Sequence, residues 1–125
     1  MTKREILKSD KLPVPAAPYS VATIWGDLLF ISGQVPSDTS EDIEGQTRQV
    51  MEKLKAIMDE AGTGFEHALK ATCFLTDIAE FSRFNDVYRS YVGDEKPARS
   101  TIECKLAGPA FKVEVDMIVG IPRGE

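Results

Sequence analysis

Residues 43 to 61 carry the clearest periodic pattern in the chain. Ile43, Thr47, Val50, Met51, Leu54, Ile57, Met58 and Ala61 recur at helical spacing. Gly62 stands where a helix-ending glycine belongs. Ahead of the stripe, Ser37-Asp38-Thr39-Ser40 offers several caps, and Asp38 with Glu41 has the spacing of a capping box. The opposite face, with Arg48, Glu52, Lys53, Lys55 and Asp59, reads as solvated. A second stripe, Phe81, Phe84, Val87, Tyr88 and Tyr91, predicts a helix that ends near Gly93, with Asp77 and Glu80 as a second capping pair. Its aromatic residues are read as the face packed on a sheet.

The strands follow a period of two. Val21–Trp25 and Leu28–Ser32 flank Gly26-Asp27, which predicts a hairpin with a type II′ or I′ turn. Residues 67 to 76 alternate, with His67, Leu69, Ala71, Cys73 and Leu75 on one side. Two further strands are expected at Ser100–Cys104 and Lys112–Ile121, separated by the loop Leu106-Ala107-Gly108-Pro109. In the last strand Val113, Val115, Met117 and Val119 face one way, and Glu114, Asp116 and Ile118 the other. Residues 1 to 18, with Pro13, Pro15 and Pro18, read as an irregular entry segment. The order is β-β-α-β-α-β-β in a single α+β domain spanning residues 1–125. Two amphipathic helices cover one face of such a sheet and leave the other needing a partner.

Composition narrows the classes. Hydrophobic content of 42% and charged content of 28% are those of an ordinary globular chain. A net charge of -5 and scattered Lys and Arg give no basic patch for nucleic acid. No apolar run reaches membrane-spanning length, and Met1–Lys8 lacks the apolar core of a signal peptide. A cytoplasmic location is expected, with organellar import left open. Cys73 and Cys104 form no Cys-x-x-Cys pair and only His67 could join them, so no metal site is expected. Both cysteines are read as reduced and mostly buried.

Candidate chemistry begins at Pro97-Ala98-Arg99-Ser100, where a stiff backbone presents an arginine at the mouth of a strand. A guanidinium is permanently charged and offers a planar fork of donors that matches a carboxylate. Alone it reads as a surface arginine. Its company is more informative: Ala17-Pro18-Tyr19-Ser20, Ile31-Ser32-Gly33-Gln34-Val35-Pro36, Phe84-Asn85-Asp86-Val87-Tyr88 and Lys112-Val113-Glu114-Val115-Asp116. With the arginine segment, these resemble the signature segments of the RidA/YjgF family, also described as endoribonuclease L-PSP, in the expected order over nearly the whole chain.

That resemblance implies a chorismate-mutase-like fold and a homotrimer with a barrel-like core, helices outside and a ligand cleft at each subunit interface. It implies hydrolysis of reactive 2-imino acids, or their enamine tautomers, to 2-keto acids and ammonia, with no cofactor. In this sequence Arg99 would take the substrate carboxylate and Gly33 would bring its backbone N–H to the ligand. Tyr19 would form part of the cleft wall, and Glu114 would orient or deprotonate the attacking water. Ser32 and Asn85 would support the geometry. Thr101 stands two residues after the arginine, where many members carry cysteine. The imine chemistry needs no thiolate there, but pocket polarity and substrate preference change with it. Two other classes remain open: a non-catalytic sensor or chaperone-like protein that binds a small acid through Arg99, and an endoribonuclease. Metal-free RNA cleavage calls for paired acid and base groups and cationic phosphate stabilisation, for which one His and an acidic chain are poor equipment.

Overall fold

The structure, a computed structural model, describes residues 3–123. In chain order it holds β1 (Glu5–Ile6), β2 (Ala22–Trp25), β3 (Leu28–Gln34), α1 (Ile43–Ala61), β4 (Ala68–Leu75), α2 (Phe81–Val92), β5 (Ala98–Glu103) and β6 (Val113–Gly120). The strands form one sheet in the order β1-β2-β3-β6-β4-β5. Neighbours are antiparallel except β4 and β5, which run parallel because α2 crosses between them. No helix among the described residues is long and apolar enough to cross a membrane.

Both helices pack on one face of the sheet. Val50, Met51, Leu54 and Met58 of α1 and Phe84 of α2 are buried with Leu29, Ala71, Cys73, Leu75, Val113, Val115, Met117 and Val119 of the strands. Every second residue of β6 is buried, as a strand with one covered face requires. The other face is open and mixed. Trp25, Phe30 and Ile102 are 52%, 38% and 49% exposed, interleaved with Thr23, Thr72, Ser100, Glu114 and Asp116.

Several local details differ from the sequence reading. Glu5–Ile6 pairs with Thr23–Ile24, adding a sixth strand inside the segment expected to be irregular. The α1 cap is Asp42, whose carboxylate accepts from the Gly45 N–H at 3.0 Å. Asp38 instead closes a turn by accepting from the Ser40 backbone and hydroxyl. Asp77 caps a short 3-10 turn, Ile78–Glu80, and α2 starts only after it. His67 ends another such turn, Phe65–His67, rather than opening β4. A register shift between Ala68 and Lys70 turns Leu69 outward, leaving it 51% exposed. Lys53, read as solvated, reaches the Val35 carbonyl at 2.7 Å.

The helix end and hairpin follow expectation. Gly62 has φ 78°, a left-handed cap, and its N–H and that of Thr63 satisfy carbonyls of the last turn. Gly26 has φ 62° and no non-glycine residue has positive φ among the described residues, which makes the hairpin turn type II′.

Candidate active site

Arg99 is the second residue of β5, inside the strand rather than ahead of it. It lies opposite Ala71, which is fully buried under the helices, so the arginine also points to the helix side. Its guanidinium carbon sits 4.8 Å from the ring centroid of Tyr88 and 5.6 Å from those of Phe81 and Phe84. Among the described residues Arg99 makes no ion pair. Thr101 shares its side of the strand, opposite Cys73. Among the described residues, the Thr101 hydroxyl and the Asn85 carbonyl oxygen are buried without a hydrogen-bond partner. Burial pushes the Cys73 thiol up to about 12, against the opposing pull of Arg99, so it stays a protonated, inert thiol.

A second group forms around β3 and β6. The backbone shifts register between Ile31 and Gln34, which carries Gly33 against Glu114. A Cβ at Gly33 would overlap the Glu114 carboxylate, so only glycine permits this approach. Ser32 donates to the Ser20 carbonyl at 2.6 Å and anchors the segment before β2. Tyr19 on that segment is 54% exposed and shares a shallow hollow of ≈ 390 Å³ with Ser20, Phe30 and Ser32. Burial raises the Glu114 carboxyl above its ordinary value, and Asp116 on the same face raises it further. Asp116 is also raised by burial, against hydrogen bonds from Thr72 and the charge of Lys70.

These two groups do not meet within one chain. Glu114 lies opposite Phe74 on the open face, whereas Arg99 lies opposite Ala71 on the helix face. Gly33, Ser32, Tyr19 and Glu114 form one half; Arg99 and Thr101 form the other, with Asn85 on the helix α2 that follows β4. Sequence reading missed the rings around Arg99 and treated them as packing alone. The signal was present: a β-α-β crossover lays its helix over both of its strands, which sets the stripe Phe81, Phe84, Tyr88 above β5.

A family model described as endoribonuclease L-PSP matches residues 9–121. The chain belongs to the RidA/YjgF family. A RutC family protein of Pyrococcus horikoshii is 39% identical over 121 residues, covering 92% of this chain and 96% of that one. A protein of the conserved Rid family from Yersinia pestis superposes with TM-score 0.86 at 35% identity, covering 95% of this chain and 100% of that one. A YjgF family member from Neisseria meningitidis gives TM-score 0.84 at 26% identity, with 98% of each chain covered. The α+β fold expected from the sequence is thus the RidA/YjgF fold.

Proposed function

We propose that this RidA/YjgF protein hydrolyses 2-imino acids, or their enamine tautomers, to 2-keto acids and ammonia. One observation carries the reading: a half-buried arginine held by aromatic rings, with no carboxylate of its own among the described residues. A cation placed so is available to a small acid. The opposed placement of Arg99 and Glu114 supports a cleft shared between copies, in which the open face of one chain brings Glu114 to the Arg99 of another. The open face's exposed apolar residues support burial in a homotrimer.

In such a cleft Arg99 binds the substrate carboxylate and Glu114 accepts a proton from water as the oxygen attacks C2. The C=N pair moves to nitrogen, which takes that proton back from Glu114 to give a neutral carbinolamine; Glu114 then accepts the carbinolamine hydroxyl proton as C=O forms and passes it to the nitrogen, which leaves as ammonia. A carboxylate whose affinity for protons is raised by burial is a better base for that step. Gly33 lets backbone and carboxylate share the space beside the ligand.

The test generates 2-iminobutanoate in situ and follows its loss by semicarbazone trapping. Parent protein should speed the decay, and Arg99→Ala should lower kcat/KM roughly tenfold to a hundredfold. Equal activity in the variant overturns the reading. Binding of a keto acid without turnover would instead identify a sensor. The family model's description raises an endoribonuclease reading; RNA cleavage by stringently purified protein that survives Arg99→Ala would favour it.

A further inference from the structure

Phe81, Phe84 and Tyr88 stand at i, i+3 and i+7 of α2, on one face of the helix. The parallel β4–β5 crossover lays that face over Arg99. An arginine entering such an interior from a strand normally ends on a carboxylate, because a desolvated cation needs compensation. Here, among the described residues, the compensation comes from three ring faces. A ring attracts the cation through its π face and occupies none of its N–H donors. The donors therefore stay available while the guanidinium is held in place. Tyr88 is the nearest ring, at 4.8 Å, and is 5% exposed. Among the described residues its hydroxyl has no hydrogen-bond partner, so the ring is what the residue brings to Arg99.

We propose that Tyr88, with Phe81 and Phe84, is an aromatic clamp that fixes the Arg99 guanidinium for an acid ligand, Tyr88 acting as a positioning residue. The proposal rests on Arg99 being the carboxylate anchor. Loss of the clamp leaves the charge in place but frees the side chain to sample other rotamers, so ligand affinity falls while the chemical step is unchanged.

The experiment measures binding of 2-oxobutanoate by calorimetry, and kcat and KM with in situ 2-iminobutanoate, for three variants. Tyr88→Phe keeps the ring and should stay within about twofold of the parent in Kd and KM. Tyr88→Leu should raise both about tenfold, with kcat held within about twofold. Phe81→Leu alters a ring that is 37% exposed and should disturb the core less; it should raise both about threefold. Melting curves identify which variants are folded, and Phe81→Leu decides the matter if Tyr88→Leu does not fold. A folded Tyr88→Leu or Phe81→Leu protein with parental Kd overturns the clamp, as does a Tyr88→Phe protein as weak as Tyr88→Leu. Arg99→Ala separates the two layers: if it binds and turns over like the parent, the anchor reading fails. If it is inactive while the ring variants bind normally, only the clamp fails.

Discussion

Glu114 is held where a carboxylate is uncomfortable. Burial and the neighbouring Asp116 both favour its protonated form. A carboxyl whose folded pKa is raised contributes stability that is fully present below its unfolded pKa. That contribution is lost as pH rises through the folded value. Glu114→Gln should therefore raise the melting temperature at neutral pH, and the gain should vanish on acidification to the carboxylate range. The same variant should lose activity by about 10²-fold or more, since an amide cannot take the proton. A scan of melting temperature against pH for parent and variant, run beside the trapping assay, checks both. Gly33→Ala works from the other side: its methyl would overlap the Glu114 carboxylate. Imine hydrolysis should fall even though the backbone there does not need positive φ. An alanine variant with parental kcat/KM would show that the close approach is dispensable.

At the level of elements, Gln46 is the least conspicuous residue with the largest structural task. It is fully buried at the start of α1. Its amide donates to the carbonyls of Thr39, Glu41 and Ala110, and its oxygen accepts from the Lys112 N–H. These bonds tie the loop before β6 to the helix, up to the residue that precedes the strand carrying Glu114. Gln46→Ala leaves those groups unpaired in the interior and should cost about 2–4 kcal/mol in urea unfolding. Gly62→Ala at φ 78° should cost about 1 kcal/mol. The helices, the hairpin and the inward face of β6 were legible because each repeats its signal over many residues. Gln46 was not, because a polar residue on an apolar stripe reads as solvated until the partners that satisfy it are placed. The two-residue β1 was hidden for a similar reason, since pairing with β2, not local preference, makes it a strand. Leu69 follows the alternation in sequence, and only the bulge reverses its direction. For the site, the positions of Arg99 and Glu114 could be named in advance. That they face opposite ways depends on strand register, which a single sequence does not contain.

Across the whole molecule, the open face is the surface on which the proposed association is tested. Phe30 and Ile118 sit side by side near its centre, with Trp25 and Ile102 toward its margins. Sedimentation equilibrium at micromolar protein should give the mass of a trimer, and a monomeric mass would remove the shared cleft. Ile118→Arg should shift the mass toward monomer while leaving the helix-side core intact, since Ile118 points away from it. The opposed faces of Arg99 and Glu114 also carry a genetic consequence. If each cleft takes its arginine from one copy and its glutamate from the next, Arg99→Ala and Glu114→Gln chains are each strongly impaired alone. Unfolded and refolded together in equal amounts, they regain about a quarter of the intact clefts by chance pairing around the ring. Two impaired alleles expressed in one cell would then complement each other, whereas a site contained in one chain would leave the mixture as impaired as either alone.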